Sequence, residues 1–281
     1  MFWVTMSELA DKERRAIKIL RMYRGDEPIE VSYSGGKDSD VILTLTKMAG
    51  IPYRAIYKNT TIDPPGTVRH CKDNGVEVVM PKERFFDIVA RKGPPTRRAR
   101  FCCEILKEYK ILDNAVQGIR RCESVKRAKN YAENEPIICR NYSKREHVNV
   151  YLPILDWSDR DVTDFIKAHG IKCHSLYYRG GEFDVTQRLG CIGCPLQSDN
   201  GVADFMQYPK MLRQLIRASK VWWDKEREVP LASKAKFGDI YGLMAHNLFF
   251  DDYDSFQAAN TSMFGTEDWK QRLEDYFGIN L

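Results

Sequence analysis

The chain has 281 residues, of which 43% are hydrophobic and 30% charged, and its formal net charge at pH 7 is +5. This composition is ordinary for a globular protein, and no run approaches the roughly 18 apolar residues that a membrane span needs. The N-terminal sequence lacks a basic segment followed by an apolar one. We therefore predict no signal peptide, no membrane partner and a cytoplasmic location.

The first two thirds of the chain alternate predicted strands with predicted helices. Apolar runs predict strands over residues 29–33, 53–57, 77–80, 115–118 and 148–152. Helical spacing predicts helices over residues 7–23, 38–48, 65–74 and 158–169, with Ser7 and Ser158 as N-caps. Such alternation is typical of an α/β protein with a parallel sheet. Beyond about residue 200 the pattern predicts helices alone, over residues 205–228 and 269–277.

The sequence SGGKDS, residues 34–39, lies between the first predicted strand and the next helix. Exposed N–H groups and the positive end of a helix dipole bind anions in this setting. Two glycines permit positive φ and close approach of a phosphate, while a lysine and two serines add a charge and hydroxyl donors. The patterns G-x-x-x-x-G-K-[ST] and G-x-G-x-x-G are both absent. The loop therefore predicts a different kind of polyphosphate site, with a simple glycine turn as the alternative.

Basic residues are concentrated between Arg91 and Lys129. This stretch holds twelve lysines and arginines against four acidic residues. It is either a solvated face or a surface for a phosphate-rich partner, which could be a nucleotide or a nucleic acid.

Eight cysteines in a chain of this class favour metal binding or catalysis over disulfides. Two pairs are closely spaced, Cys102 with Cys103 and Cys191 with Cys194. Four thiolates suit zinc or an iron–sulfur cluster, and spacing alone leaves both open. The remaining cysteines are isolated, which is more typical of small core residues than of ligands; they are Cys71, Cys122, Cys139 and Cys173.

The SGGKDS loop resembles the pyrophosphate-binding loop of the N-type ATP pyrophosphatases, a family with PAPS reductases, the sulfate adenylyltransferase small subunit, tRNA thiolases and DNA phosphorothioation enzymes. Three more segments are similar to family motifs: YKNTTID (57–63), GIRRCES (118–124) and PILDWSDRDV (153–162). The resemblance implies an α/β fold with a parallel sheet, of the adenine nucleotide alpha-hydrolase-like (Rossmann-like) type. We expect a nucleotide-binding domain over residues 1–200, including the paired cysteines, and a helical region over 201–281 packed on it.

The resemblance also implies roles for individual residues. The expected nucleotide-binding residues are Ser34, Gly35, Gly36, Lys37, Asp38, Ser39, Asn59, Thr60, Gly118 and Arg120. Within this set, the loop residues would contact phosphates, and Asn59 and Thr60 would lie near the nucleoside. The expected catalytic residues are Lys37, Asp38 and Arg120.

The paired cysteines are similar to the cluster motif of the APS reductases, because R-x-G-C-x-x-C-P follows the first pair, with Cys191 standing 88 positions after Cys103. This similarity implies a 4Fe-4S cluster held by Cys102, Cys103, Cys191 and Cys194. Zinc and unligated buried thiols are the alternatives.

Two enzymatic functions compete. Lys37, Asp38 and Ser39 are similar to family members that cleave ATP to AMP and pyrophosphate with Mg²⁺, which activates an acceptor for sulfur transfer. Reductases of the family act on APS or PAPS, tend to lack this lysine, and use a cysteine in a C-terminal segment; here residues 195–281 contain none. We therefore expect the ATP-cleaving activity, with the reductase as its alternative.

The expected partners follow from that activity. The candidate acceptors are tRNA, the DNA backbone and a small metabolite, and the candidate sulfur donor is a protein such as a cysteine desulfurase. A third hypothesis is a cluster-bearing protein without enzymatic activity that binds nucleic acid through the basic stretch.

Overall fold

The computed structural model describes residues 2–109, 111–133, 135–142, 145–225, 231–262 and 265–281. The helices are α1 (Phe2–Leu20), α2 (Lys37–Ala49), α3 (Thr67–Asp73), α4 (Phe85–Lys92), α5 (Phe101–Leu106), α6 (Val125–Asn130), α7 (Asp159–Ala168), α8 (Val202–Gln207), α9 (Pro209–Trp223), α10 (Leu231–Phe237), α11 (Ile240–Phe249), α12 (Tyr253–Asn260) and α13 (Trp269–Phe277). The strands are β1 (Ile29–Tyr33), β2 (Tyr53–Lys58), β3 (Glu77–Val79), β4 (Asn114–Val116), β5 (Ile137–Tyr142), β6 (Arg145–Tyr151), β7 (Tyr178–Arg179), β8 (Glu182–Phe183), β9 (Thr261–Ser262) and β10 (Gly265–Thr266).

The main sheet has six strands in the order β3-β2-β1-β4-β6-β5. Five of them are parallel, and β5 pairs with β6 in the antiparallel sense. Val31 in β1 is paired with Ala55 on one side and Val116 on the other. The predicted α/β fold with a parallel sheet is confirmed, while the edge strand β5 was not predicted.

Strand β1 is central because its sequence, IEVSY, buries residues toward both faces. Ile29 and Val31 are fully buried. Helix α2 supplies the apolar side chains Val41 and Leu45 to the same core, and α1 and α7 pack against α2. The result is a rigid strand whose carboxyl end is held at a fixed position by the core.

Several predicted elements need correction at their ends. Ser7 lies inside α1 and therefore cannot be its N-cap, whereas Ser158 does cap α7 through a hydrogen bond from the Asp161 amide. The single helix predicted over 205–228 is instead two helices, because Tyr208 is not helical and Pro209 begins α9. Positions 226–228 of that prediction lie outside the described residues. The short antiparallel pair of β9 and β10 also shows that strands occur after residue 200.

The chain divides into two compact units. The first comprises Met1–Asn59, Pro64–Met80 and Leu106–Gly190, and the second comprises Thr60–Asp63, Pro81–Ile105 and Cys191–Leu281. The SGGKDS loop, Gly118 and Arg120 belong to the first unit, and the four paired cysteines belong to the second. The predicted domain boundary at residue 200 stays a prediction. In the described part of the chain, no helix is long and apolar enough to cross a membrane.

Candidate functional site

The candidate nucleotide site lies where the order of the parallel strands reverses. From β1 the chain continues to β2 and β3 on one side, and then returns to β4 on the other. In open parallel sheets, ligands bind at the carboxyl ends of the strands at such a reversal. The SGGKDS loop follows β1 and the segment Gly118–Arg120 follows β4, so the topology brings these two motifs to the same edge.

The glycine loop has a defined backbone. Gly35 has φ +79°, and a Cβ there would lie 3.0 Å from Thr67 Cγ2. Gly36 has φ −82° and caps α2, so of the two glycines that permit positive φ only Gly35 adopts it. The Ser39 hydroxyl donates to the Gly36 carbonyl at 2.6 Å, and the Gly36 amide donates to Ser34 Oγ at 3.3 Å. The loop therefore brings the N-terminus of a 13-residue helix to the site with no side chain at its two leading positions.

Lys37 is 5% exposed and is held by three groups. Its Nζ lies 3.4 Å from the Gln187 carbonyl, 3.5 Å from the Asp38 carboxylate and 5.4 Å from the Tyr177 ring centre. Tyr177 is buried, and burial raises its pKa to about 12, so its side chain stays a neutral phenol at neutral pH. Its hydroxyl accepts the Leu189 amide proton at 3.3 Å. Tyr177 lies outside every motif quoted above, and sequence analysis missed it.

Arg120 is the largest fully buried side chain of the protein's described part, at 1% exposure. Its Nε donates to Asp38 at 2.7 Å and its Nη2 donates to Asp159 at 2.9 Å. Burial alone would lower the pKa of Arg120, but Asp38, Cys122 and Asp159 outweigh burial and raise it. The guanidinium therefore stays charged beside the loop. Asp159, in the PILDWSDRDV segment, was not assigned a role from the sequence.

Gly118 is needed for this approach of the two motifs. A Cβ at Gly118 would lie 2.9 Å from the Asp38 backbone oxygen, closer than real Cβ contacts allow. The structure thus brings together three of the predicted residues. The Arg120 side chain contacts the Asp38 carboxylate, and Gly118, which has no side chain, lies against the Asp38 backbone.

A second set of polar groups lies on α2 beneath the loop. The Asp40 carboxylate accepts a hydrogen bond from the Tyr33 hydroxyl and lies 3.0 Å from His70 Nε2. Burial raises the pKa of Asp40, although its hydrogen bonds to His70 and Tyr33 act in the opposite direction. The His174 ring lies 5.8 Å from the His70 ring and is 2% exposed. Sequence analysis missed this network because its members are spread over four elements.

Asn59 and Thr60 fall in different units. Asn59 follows β2, is 8% exposed, and donates its amide proton to Val79 at 3.0 Å. Thr60 donates its amide proton to Asp63 at 3.0 Å. The next residue, Thr61, has φ +63°, which is rare for a β-branched side chain and is characteristic of functional segments. Placement of Asn59 and Thr60 at a nucleoside stays a prediction.

The C-x-x-C sequence forms a tight turn within the second unit. Gly193 has φ +67°, and a Cβ there would lie 2.0 Å from Phe205 Cζ. Its amide donates to the Asp204 carboxylate at 2.8 Å. Helix α8 thereby fixes the turn that carries Cys191 and Cys194.

Arg97 ties the other cysteine segment to this turn. Its Nε donates to Asn200 Oδ1 and its Nη2 donates to the Gln197 carbonyl, both at 2.8 Å. Cys102 and Cys103 follow Arg97 closely, in the first turn of α5. The two cysteine segments are therefore neighbours within one compact unit.

The four paired cysteines are partly buried. The hydrogen bond with Cys103 raises the pKa of Cys102, as do burial and the nearby thiols of Cys191 and Cys194. As placed, no three His, Cys, Asp or Glu side chains among the described residues form a metal-binding group. The donor chemistry, four soft sulfur atoms in one region, nevertheless fits a thiophilic metal centre.

The isolated cysteines divide into two groups. Cys71 and Cys173 are buried, as core residues should be, whereas Cys122 and Cys139 are exposed. The interpretation of all four as small core residues is therefore wrong for the second pair.

Comparison with known proteins decides the family. The model of the phosphoadenosine phosphosulfate reductase domain matches residues 28–197, more than half of the chain. The chain belongs to this family. The family resemblance expected from the loop and its companion motifs is thereby confirmed.

Individual relatives are more distant. An uncharacterized protein of Methanocaldococcus jannaschii is 27% identical over 240 residues, which cover 77% of this chain and 55% of that protein. The adenosine 5'-phosphosulfate reductase of Neisseria meningitidis is 27% identical over 155 residues, covering 54% of this chain and 53% of the reductase. The chain thus spans about half the length of these relatives. Among solved structures, the U34-tRNA thiolase NcsA of Methanococcus maripaludis, which carries a [4Fe-4S] cluster, matches with a TM-score of 0.45 and 16% identity, over 80% of this chain and 82% of NcsA.

Proposed function

We propose that this PAPS reductase family protein binds ATP at the SGGKDS loop and cleaves it to AMP and pyrophosphate, activating an acceptor for sulfur transfer. The observation that carries the proposal is the arrangement of three charged side chains at the N-terminus of α2. Lys37, Asp38 and Arg120 lie within one chain of contacts, and both basic groups are almost fully buried. Buried cations beside a helix N-terminus favour a ligand with several negative charges.

Each residue has a separate task in this proposal. The α2 amides and Lys37 bind the β and γ phosphates and stabilise the charge that develops on the departing pyrophosphate. Arg120, oriented by Asp38 and Asp159, faces the α phosphate, where the acceptor oxygen attacks. Mg²⁺ would supply further charge neutralisation, and Asp38 is the carboxylate that we assign to hold it, since Mg²⁺ sites commonly combine one or two carboxylates with substrate phosphates.

The cysteine centre is proposed as a 4Fe-4S cluster held by Cys102, Cys103, Cys191 and Cys194, with zinc as the second candidate. Its support is the donor chemistry of four soft thiols in one unit. Such a cluster supplies electrostatic and redox chemistry when bound. The proposed partners are a sulfur donor such as a cysteine desulfurase and a nucleic-acid acceptor, either tRNA or DNA.

Reduction of APS or PAPS to sulfite is the second candidate function. It is supported by the family itself and by the Neisseria meningitidis reductase among the relatives. An adenylyl sulfate has no β,γ-pyrophosphate, so it offers fewer negative charges to a lysine at the loop than ATP does. Lys37 therefore favours ATP.

The two functions differ in their products. Protein purified without oxygen should be incubated either with ATP, Mg²⁺ and tRNA or DNA, or with APS or PAPS and reduced thioredoxin. We expect pyrophosphate and an adenylylated acceptor from the first mixture, with AMP released when a sulfur donor is added, and negligible sulfite from the second. Rapid sulfite release without pyrophosphate formation from ATP would establish the reductase instead.

A further inference from the structure

Three arginines converge on one short turn of the first unit, which follows β4. Arg127 forms an ion pair with the Glu123 carboxylate. Arg188 donates from Nη2 to the Glu123 carbonyl at 2.8 Å. The backbone amide of Arg120 donates to the Glu123 carboxylate at 3.1 Å. Glu123 thus gathers Arg127 and Arg188, which no motif assigned to the site, next to the buried Arg120.

The charges of this arginine cluster (Arg120, Arg127 and Arg188) are close enough to influence each other. Burial lowers the pKa of Arg127, and the positive charges of Arg188 and Arg120 lower it further. Arg120 is already paired with Asp38 and Asp159, and the Glu123 carboxylate pairs with Arg127, whereas Arg188 contacts only the Glu123 backbone carbonyl in this turn. An anion bound between Arg127 and Arg188 would relieve this repulsion.

The surface around the cluster is basic and open. Besides the buried Arg120, helix α6 and the turn before it, residues 118–131, carry four basic residues against one acidic residue, and Arg188 adds a fifth positive charge. Lys126 and Lys129 are exposed, and Val125 between them and the turn is 89% exposed. A strip of cations longer than one phosphate fits a chain of phosphates better than a single ion.

We propose that Arg127 and Arg188 form a second anion subsite that takes a phosphodiester group of a single-stranded nucleic acid, the acceptor in the reaction. Naming the ligand as acceptor rests on the proposed function, whereas the binding itself does not. The forked guanidinium groups match the geometry of phosphate oxygens. The triphosphate of ATP is a less suitable occupant, because the α2 N-terminus and Lys37 already provide for it.

The test is equilibrium binding by fluorescence anisotropy, without ATP, to a labelled 20-nucleotide single-stranded RNA and to DNA of the same sequence. Arg127→Gln and Arg188→Gln should each weaken binding roughly three- to tenfold and reduce the slope of log K against log salt by about one. The affinity for α,β-methylene-ATP should stay within about twofold of the parent, since its phosphates use other donors. Arg69→Gln is the matched control, because Arg69, like Arg127, forms an i,i+4 ion pair, in this case with Asp73 on α3.

The outcomes are separable. Three results would overturn the subsite. They are unchanged oligonucleotide affinity in the Arg127 and Arg188 variants, an equal loss of oligonucleotide affinity in the Arg69 variant, and an equal loss of affinity for α,β-methylene-ATP in the Arg127 and Arg188 variants. Tighter binding of RNA, tighter binding of DNA, or equal binding of both supports it and identifies the acceptor's sugar. Arg188→Lys should retain part of the affinity, and melting temperatures close to the parent show that the variants fold. If ATP is not cleaved but these effects appear, the subsite stands and the proposed function fails.

Discussion

The glycine loop and the cysteine segments differ in how far the polypeptide alone defines them. At the loop, Lys37, Asp38 and Arg120 are held in place by hydrogen bonds and ion pairs within the protein itself. In the cysteine unit, the turn and α5 are held by backbone contacts, yet their thiols do not form a metal-binding group in the described residues. For the two proposed sites, the comparison teaches that strand ends can fix a phosphate site in advance, whereas we expect thiol ligands to reach their final geometry together with the metal.

The largest expected effect is loss of iron from the cysteine unit. Protein prepared without oxygen should be brown, with broad absorption near ~400 nm, because cysteine-ligated clusters absorb through charge transfer. Cys194→Ser should lose most of the bound iron and sulfide, while Cys139→Ser should keep them, since Cys139 lies on β5 in the other unit. Iron and sulfide analysis with visible spectra provides the measurement. Stoichiometric zinc without iron would refute the cluster.

The next largest effect should appear at Lys37. Because a charge-assisted phosphate contact contributes about 1.5–3 kcal/mol, Lys37→Ala should weaken α,β-methylene-ATP binding roughly ten- to hundredfold. Lys47→Ala is the control, since Lys47 is exposed in the last turn of the same helix. Isothermal titration calorimetry would measure both. Equal affinities of the two variants for α,β-methylene-ATP would contradict the proposed role of the loop in phosphate binding.

Much of the nucleotide side could be predicted from the sequence because its signals are local. A short β-prone run, two glycines and a helix predicted β1, the loop and α2 close to their observed bounds. The partners Asp159 and Tyr177 could not be predicted, because their contacts join residues far apart in sequence. Which of the two glycines adopts positive φ could not be predicted either, since one such residue suffices for the turn.

The cysteine side could be predicted less well. Motif spacing identified the cysteines but not what holds their turn: Asp204 and Phe205 on α8, and Arg97, act over long sequence separations. Phe205 was predicted to begin a long helix and instead lies in α8, which ends before Pro209. A proline that starts a helix looks the same, in a single sequence, as one that follows a helical run.

A moderate effect is expected at Gly118. Gly118→Ala places a methyl group against the Asp38 backbone, which should lower the free energy of unfolding by about 1–3 kcal/mol and weaken nucleotide binding. Gly190→Ala is the control, because a Cβ there meets nothing within 4 Å. Chemical denaturation and titration with α,β-methylene-ATP would measure the two effects. A fully stable Gly118→Ala protein with normal nucleotide affinity would show that the close approach of the two motifs is unnecessary.

The smallest effect concerns pH and the network beneath the loop. Burial lowers the pKa of His174 from its ordinary 6.5, and the nearby His70 lowers it further. The unfolded chain therefore binds a proton at this residue at a higher pH than the folded chain does, so this contribution to stability is present above about pH 6.5 and is lost as the pH falls. The pKa of Asp40 is raised above its ordinary value of 3.8, so above pH 3.8 Asp40 changes the stability with pH in the opposite direction. The informative quantity is therefore the difference in pH dependence between the parent and the His174 variant.

His174→Gln should accordingly flatten the decline of the unfolding free energy between pH 7.5 and 5.5, by at most about 1.4 kcal/mol per pH unit. His169→Gln, at the end of α7, is the control because its ring is partly exposed beside Glu13. Urea denaturation at several pH values gives the slopes. Parallel curves for the parent and His174→Gln would mean that the buried ring does not titrate with folding. A flattened curve would show that the buried His174 ring beneath the SGGKDS loop binds a proton less readily in the folded chain than in the unfolded one.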